Sequence, residues 1–292
     1  MKLLTVDIGG TFIKYGSYDC DTNLLDGVNK VPTPQTSREE LIAQIVELSK
    51  AFPEVVGCAV SMPGTIDPEK GYVFQGGALQ YNNKSDFAKE LAEQLKLPVT
   101  IENDARCAAQ AELWQGKLRG VENALVLVIG TGLGCAVVQG GAIYRGTHLY
   151  AGELSLIFTK DINKFGFDAV LGNQVGVPGF VTKLSTLYGQ ELDGSQAFQL
   201  IEAGEPKLVE EFEAYVENFA IQLFNFQLMF DPEKILIGGG ISQSKFYMNK
   251  LSQALEAFYQ KMPLTISHAP LESCHFESEA NLIGAVKTYL EQ

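Results

Sequence analysis

Apolar runs of strand length alternate with segments of helical spacing along the whole chain. The first two runs, at 3–6 and 12–16, flank the polar, glycine-containing stretch 7–11. Apolar runs on both sides of a short glycine turn predict a β-hairpin. A similar pattern returns at 124–138, where Ile129-Gly130 matches Ile8-Gly9. The sequence therefore predicts two related hairpins, one opening each half of the chain.

Helical periodicity and buried-strand runs follow each hairpin in turn. The predicted helices cover 38–51, 85–95, 105–114, 206–230, 242–262 and 278–291, and the predicted strands cover 55–60, 98–101 and 234–237. Strands that alternate with helices are typical of an α/β fold with parallel strands. We expect two domains, one formed by 1–114 plus 279–292 and the other by 115–278.

The first glycine turn has the residue types of a phosphate site. Gly9 and Gly10 lack a Cβ and can bring several backbone N–H groups close to an anion, while Thr11 and Lys14 supply a hydroxyl and a positive charge. Asp7 would repel a phosphate unless a hard cation such as Mg²⁺ bridges the two. The expected guest is therefore a metal nucleotide. The alternative is an ordinary hairpin with a glycine turn.

The second hairpin repeats the glycines but not the acid. Its turn region contains Gly130, Thr131, Gly132 and Gly134. Val128 stands where the first hairpin has Asp7. We therefore expect both hairpins to cradle phosphates and only the first to position a metal ion.

Two predicted strands end in further candidate groups. The strand over 98–101 leads into Glu102-Asn103-Asp104, which places carboxylates where an α/β sheet usually binds its ligands. The strand over 234–237 leads into Gly238, Gly239 and Gly240. These glycines suit a flat ligand lying on the backbone, and a plain strand-to-helix turn is the alternative.

Composition and charge exclude several function classes. The net charge is −13 and none of the 22 Lys and Arg residues form a run, so nucleic acid and anionic membrane are poor partners. There is no signal-peptide pattern and no apolar stretch near the roughly 20 residues that span a bilayer, so we expect a cytoplasmic protein. The five cysteines include no C-x-x-C pair, which argues against a disulfide framework or a Cys-rich zinc site.

The order and spacing of these motifs resemble the ROK family of sugar kinases and sugar-responsive repressors, over essentially the whole chain. The resemblance is carried by Asp7-Ile8-Gly9-Gly10-Thr11, Ser61-Met62-Pro63-Gly64, Glu102-Asn103-Asp104-Ala105, Gly130-Thr131-Gly132-Leu133-Gly134, and Asp231-Pro232 with Gly238-Gly239-Gly240. It implies the two-domain actin-like ATPase fold, which is ribonuclease H-like, with a ligand cleft between the domains. It also implies ATP and Mg²⁺ as cofactors and a homodimer.

The same resemblance assigns roles to particular residues. Asp104 matches the catalytic base, and Gly64, Asn103, Asp104 and Glu153 match the sugar-binding positions. A hydroxyl is a poor nucleophile, so a carboxylate must orient it and accept its proton while other groups neutralise the phosphates. The alternative for Asp104 is that it caps the helix that follows.

Two departures from the family pattern concern zinc. Family members typically continue Gly-Glu with Ile-Gly-His, whose His binds zinc or sugar, but this chain has Leu156 at the His position. No cysteine occurs between Cys135 and Cys274, where the family's zinc segment should lie. We therefore expect no zinc site and a sugar site that accepts a larger or substituted substrate on one side. We expect this sugar-side loop to be held by packing of apolar side chains, namely Leu156, Phe158, Phe165 and Phe167.

Two function classes follow from the resemblance. The leading hypothesis is ATP-dependent phosphorylation of a hydroxyl on a hexose, an N-acetylhexosamine such as N-acetylmannosamine, or a β-glucoside. The alternative is a non-catalytic sugar-binding or regulatory member of the same family. Repressor members carry a helix-turn-helix before the first phosphate motif, and this chain opens at that motif with an acidic balance. The sequence therefore favours the kinase.

Overall fold

The structure is a computed structural model that describes all 292 residues. The strands are β1 (Lys2–Ile8), β2 (Phe12–Asp19), β3 (Leu24–Pro32), β4 (Cys58–Met62), β5 (Thr65–Asp67), β6 (Tyr72–Gln75), β7 (Val99–Asn103), β8 (Ala124–Ile129), β9 (Leu133–Gln139), β10 (Ala142–Tyr144), β11 (Lys234–Gly238) and β12 (Leu271–Ser273). The α-helices are α1 (Arg38–Ser49), α2 (Phe87–Leu95), α3 (Asp104–Gln115), α4 (Ile162–Phe165), α5 (Leu171–Val175), α6 (Val177–Tyr188), α7 (Gly194–Glu202), α8 (Pro206–Phe230), α9 (Lys245–Lys261) and α10 (Ala280–Leu290). No helix combines the length and apolar character needed to cross a membrane.

The chain divides into two compact units of mixed α/β structure. The first comprises Met1–Arg119, Arg145–Ala151 and Ser278–Gln292, and the second comprises Gly120–Tyr144 and Gly152–Glu277. The second domain expected from the sequence, 115–278, includes the segment Arg145–Ala151, which belongs to the first compact unit.

The first unit is built on a five-stranded sheet of order β3-β2-β1-β4-β7. β1 and β2 form the predicted antiparallel hairpin, whereas β1, β4 and β7 run parallel. In this register Asp7 pairs with Ser61, and Ser61 pairs with Glu102. Three polar residues therefore lie side by side at the carboxyl ends of the parallel strands, the edge at which α/β sheets bind ligands.

The C-terminal helix α10 packs closely on α3 within the first unit. The approach is closest at Gly284, where an added Cβ would overlap the backbone carbonyl of Cys107. α10 is also tied to β1, because the buried Thr5 hydroxyl donates a hydrogen bond of 2.7 Å to the Leu282 carbonyl. The end of the chain thus supports the strand that carries Asp7.

The second unit repeats the strand order of the first, as β10-β9-β8-β11-β12. β8 and β9 form the second predicted hairpin, and β8, β11 and β12 run parallel. The internal repeat seen in the sequence therefore corresponds to a repeat of sheet topology. In this unit glycines, rather than acids, follow two of the parallel strands, with Gly130 after β8 and Gly238 at the end of β11.

The long helix α8 covers the predicted residues, Pro206–Phe230. Proline is favourable in a first helical turn, and the helix ends at Phe230, because the next residue, Asp231, has a left-handed backbone (φ 42°) and precedes Pro232. One face of α8 buries three phenylalanines, Phe212, Phe219 and Phe226, in the core of the second unit. Residues at the two ends of the helix, Pro206 and Asp231-Pro232, therefore determine where it begins and where it ends.

The close contact of α10 with α3 gives a stability prediction. Gly284→Ala should destabilise the protein by about 1–3 kcal/mol or more, because the new methyl group overlaps backbone that cannot move aside cheaply. Gly194→Ala is the matched control, since a Cβ at this helical glycine meets no atom within 4 Å. Thermal melting of both variants measures the effect. Equal melting temperatures would contradict the observed helix packing.

Candidate functional site

Asp7 is held at the end of β1 by neutral hydrogen-bond donors. Its Oδ1 accepts bonds from Ser61 Oγ at 2.8 Å and from Asn281 Nδ2 at 3.0 Å. Burial raises the pKa of Asp7 above its ordinary value, and these two bonds and the charge of Lys14 oppose that rise. A carboxylate kept in such a place is stabilised further by a bound cation.

The turn after Asp7 is fixed through its carbonyl groups. Thr33 Oγ donates to the Gly9 carbonyl at 2.7 Å, and Gln35 Nε2 donates to the Gly10 carbonyl at 2.8 Å. The Thr11 carbonyl accepts from the Thr33 backbone N–H at 2.9 Å. These three bonds use the carbonyl groups of the turn. None of them uses the backbone N–H groups of Gly10 and Thr11. Phosphate binding at this turn stays a prediction.

Lys14 lies on β2, directly across from Asp7. Its ammonium group donates to the backbone carbonyl of Ser278 within the same unit. The structure therefore gives Lys14 a backbone partner near α10, and its contact with phosphate stays a prediction.

The junction of β7 and α3 carries the candidate base. Asn103, not Asp104, is the N-cap of α3, since Asn103 Oδ1 accepts from the Arg106 backbone N–H at 3.2 Å. Asp104 is the first helical residue, and its Oδ1 accepts from Ala105 N at 2.8 Å and from Asn103 Nδ2 at 3.0 Å. The capping alternative for Asp104 is therefore wrong, and the cap leaves its carboxylate at the positive end of the helix.

Gly64 is tied to this junction. Its carbonyl accepts from Asn103 Nδ2 at 3.1 Å. Its backbone has φ +113°, and an added Cβ would overlap the Gln75 carbonyl, so only glycine fits. Asn103 thereby holds both the Gly64 loop and the Asp104 carboxylate.

The second glycine turn lies in the second unit and is more open. The Gly130 N–H donates to the Gly132 carbonyl at 3.0 Å, and the Gly130 carbonyl accepts from Val177 N at 2.9 Å. A Cβ on Gly130 would meet no protein atom within 4 Å. Thr131 is exposed at the tip of the turn, whereas Gly134 lies in β9, paired with Val128. The turn therefore leaves room beside its backbone that a ligand could fill.

Gly238, Gly239 and Gly240 differ from one another in their surroundings. Gly239 has φ +86°, and its Cβ would overlap the Ile129 carbonyl at the end of β8, while Gly240 has open space beside it. The helix after them is capped two residues later than expected, because Ser244 rather than Ser242 caps α9. A cavity of about 320 Å³ adjoins this turn, lined among others by Gly239, Ser242, Lys245, Ser273 and Phe276.

Glu153 lies in the second unit just before the short 3₁₀ turn Leu154–Leu156 and is partly buried. The preceding Gly152 has φ +88°, which fixes the direction in which the chain enters this turn. The position of Glu153 is thus set by a turn that needs glycine.

The predicted packing of the loop after Glu153 is wrong. The apolar side chains expected to hold it are exposed, namely Leu156, Phe158, Phe165 and Phe167. The loop is held instead by the buried Leu154, Val170 and Leu171 and by backbone hydrogen bonds such as Leu171 N to the Ile157 carbonyl at 3.0 Å. Residue type alone could not show which apolar side chains face inward in a segment without regular periodicity.

Sequence reasoning missed several residues of the site. In the sequence, Ser61 stood out only as part of a longer motif, and Asn281 belonged to no motif. Both nevertheless donate hydrogen bonds to Asp7. Arg145 was also missed, although its guanidinium contacts the buried Glu102 beside Asn103. Local patterns could not have found Asn281, because it lies 274 residues from its partner.

The absence of zinc stays a prediction that metal analysis can test. Leu156 stands at the position of the family's zinc histidine, and no group of three or more His, Cys, Asp or Glu side chains is arranged to hold a metal ion. Protein purified without chelator or added zinc should contain far less than one zinc per chain, because carboxylates alone make poor structural zinc sites. Stoichiometric zinc would contradict this expectation.

Comparison with known proteins places this geometry in a family. The ROK family pattern matches residues 3–291. A β-glucoside kinase from Klebsiella pneumoniae is 32% identical over 298 residues, covering 98% of this chain and 95% of that protein. A Listeria monocytogenes structure described as a candidate N-acetylmannosamine kinase is 27% identical, with a TM-score of 0.91 and coverage of 100% and 99% of the two chains. A ROK family structure from Streptococcus pneumoniae, in complex with sucrose, is 29% identical, with a TM-score of 0.87 and coverage of 100% and 98%.

The similarity extends over the full length of the chain and over its architecture. The predicted α/β class is confirmed, and the fold is the two-domain actin-like ATPase fold of these neighbours. The sequence motifs, the two related sheets and the matched relatives agree, and this chain belongs to the ROK family.

Proposed function

We propose that this protein transfers a phosphoryl group from ATP to a hydroxyl of a sugar, with Asp104 as the general base. The observation that carries the proposal is the strand register of the first unit, which places Asp7, Ser61 and Glu102 side by side at one sheet edge, with Asp104 two residues beyond Glu102. Relatives matched over the full chain are sugar kinases by name, which supports the reaction class.

Asp104 has the surroundings that the base role requires. Two hydrogen bonds hold its Oδ1 in place, and the carboxylate lies at the N-terminus of α3. An ionised carboxylate at a fixed angle can orient a sugar hydroxyl and take its proton as the bond to phosphorus forms. The proton passes from the sugar oxygen to Asp104, and ADP is the leaving group.

The residues around Asp7 fit a magnesium ion. Ser61 and Asn281 donate hydrogen bonds to Asp7 Oδ1 and fix the orientation of the carboxylate. Mg²⁺ takes one or two carboxylates together with water and substrate phosphates. Bound Mg²⁺ supplies charge neutralisation for the phosphates. Asp7 would hold it directly or through water, and the N–H groups of Gly10 and Thr11 would bind phosphate oxygens.

The glycines of the second unit fit the rest of the nucleotide. Gly130, Thr131 and Gly132 offer an open backbone turn for phosphate, and Gly134 supports it from within β9. Gly238, Gly239 and Gly240 form the wall against which the adenosine lies, beside the cavity at Ser242 and Phe276. Open space at Gly130 and Gly240 is the feature that supports this assignment.

The sugar is assigned to Gly64, Asn103, Asp104 and Glu153. Asn103 Nδ2 donates to the Gly64 carbonyl and to Asp104. Asn103 therefore also holds these two residues of the proposed site in position. Exposed apolar side chains follow Glu153 along the chain, with Phe158, Phe165 and Phe167 among them. These surfaces suit a substituted sugar, and we propose a β-glucoside or an N-acetylhexosamine ahead of free glucose.

A coupled assay of ADP release over a sugar panel tests the proposed function. The panel contains glucose, N-acetylmannosamine, N-acetylglucosamine, cellobiose and an aryl β-glucoside. We expect Mg²⁺-dependent ADP release with at least one sugar and a preference for substituted ones. Sugar binding without ADP release would favour the non-catalytic alternative, and strict selectivity for glucose would contradict the substrate assignment.

Replacing the candidate base gives a sharper prediction. Asp104→Asn should lower kcat by about 10²-fold or more, because it removes the proton acceptor while keeping nearly the same volume. Sugar binding, measured by titration calorimetry, should change little. Asp86→Asn is the control, because Asp86 also lies at a helix start in the first unit and makes no side-chain cap bond. A loss of only a few-fold at Asp104 would refute its role as base.

The open space at Gly130 gives a prediction for the nucleotide. Gly130→Ala should fold normally, since a Cβ there meets no protein atom within 4 Å and the backbone is not left-handed. It should raise the KM for ATP about 10-fold or more, because the methyl group enters the space assigned to phosphate. Gly194→Ala again serves as the control. Unchanged ATP kinetics in a stable Gly130→Ala protein would remove Gly130 from the nucleotide site.

A further inference from the structure

Glu102 is a buried carboxylate that the proposed reaction does not use. Its side chain is 0% exposed, and its Oε1 accepts a hydrogen bond of 2.8 Å from the Asn103 backbone N–H. A carboxylate taken fully out of water persists only when it is paired with opposite charge. Two arginines supply that charge. Arg106 Nη1 lies 4.0 Å from Oε1, and Arg145 Nη2 contacts Oε2.

The arginines also fix the segment Arg145–Ala151. Arg106, only 2% exposed, donates from Nη2 to the Leu149 carbonyl at 2.6 Å. Leu149 itself has φ +65°, a conformation that a branched, non-glycine residue keeps only when its surroundings impose it. The Ala151 N–H closes the segment by donating to the Arg145 carbonyl at 3.2 Å. Charged groups of the first unit therefore pin a segment whose flanking residues belong to the second unit.

The contacts of Glu102 reach the backbone beside the candidate base and the first residue of the segment Arg145–Ala151. On one side, Glu102 bonds to the backbone of Asn103, the neighbour of Asp104. On the other side, it holds Arg145, and the chain from Arg145 reaches Glu153 eight residues later. A shift of about 1 Å in reacting groups can cost an enzyme about 10²-fold in rate, so a link of this kind affects catalysis without touching substrate.

We infer that Arg145 is a positioning residue: through its ion pair with Glu102 it holds the segment Arg145–Ala151 in register with the strand end that carries Asn103 and Asp104. This inference rests on the proposed function for its kinetic consequence. The structural part of the inference, that these contacts hold the segment Arg145–Ala151 in place, does not depend on that function.

Arg145 is the member of the network that can be replaced most safely. Its side chain is 28% exposed, and Glu102 keeps Arg106 nearby when Arg145 is shortened. Removing Glu102 would instead leave the buried Arg106 without an opposite charge, and removing Arg106 would remove the bond to the Leu149 carbonyl as well as a buried charge. Arg38→Met is the matched control, because Arg38 belongs to the first unit, is 24% exposed and pairs with Glu90 at 2.8 Å.

The kinetic test compares three variants with the wild type. In Arg145→Met, kcat/KM for the sugar should fall about 10-fold or more, while the KM for ATP stays within about twofold. Arg145→Lys should recover much of the loss, because it restores a positive charge opposite Glu102. Arg38→Met should leave both parameters within about twofold. Sugar kinetics of Arg145→Met that match those of Arg38→Met would overturn the inference.

Hydrogen exchange tests the pinning without relying on activity. Backbone amides of 102–106 and 145–151 should exchange about 10-fold faster or more in Arg145→Met than in the wild type, and should not change in Arg38→Met. Unchanged exchange in these two segments would overturn the inference even if the wild type phosphorylates sugar. Absence of turnover in the wild type would instead count against the proposed function, and the exchange result would still decide the role of Arg145.

Discussion

The register of three parallel strands is the constraint on which the candidate site depends. Because β1, β4 and β7 pair as they do, Asp7, Ser61 and Glu102 lie next to one another across the sheet, and Asp104 begins the helix that follows. A shift of one residue in either pairing would turn these side chains to the other face. The apolar core under the sheet, with Val6, Val60 and Ile101 buried, fixes the register. Packing thus sets the positions of polar groups.

The two sheets share a strand order but carry different chemistry at their carboxyl ends. In the first unit, acids and amides stand there, and their hydrogen bonds hold carboxylates in fixed orientations. In the second unit, glycines leave backbone exposed, with open space at Gly130 and Gly240. The two sheets thus share a strand order and differ in the residues at their strand ends, with Val128 in the second hairpin where the first has Asp7. The separate roles that the sequence predicts for the two hairpins stay a prediction.

Local sequence signals made part of the fold predictable. Glycine turns between apolar runs predicted both hairpins, and Pro206 with Asp231-Pro232 predicted α8 to the residue. Long-range partners were not predictable, because Asn281 and Arg145 meet their carboxylates only through the folded topology. The exposed Phe158 and Phe167 show the opposite error, since an apolar side chain does not reveal which way it faces without a regular period. The segment Arg145–Ala151 belongs to the first compact unit although its flanking residues belong to the second, and its Arg145 and Leu149 contact the buried Glu102 and Arg106.

Mass analysis of the sugar after reaction tests the central claim most directly, because it follows the phosphoryl group itself. The wild type, given ATP, Mg²⁺ and a substituted sugar such as cellobiose or N-acetylmannosamine, should yield a sugar heavier by one phosphoryl group. The Asp104→Asn protein, with its fold intact by thermal melting, should yield almost none in the same time. ADP formed without any phosphorylated sugar, or equal product from both proteins, would contradict the account.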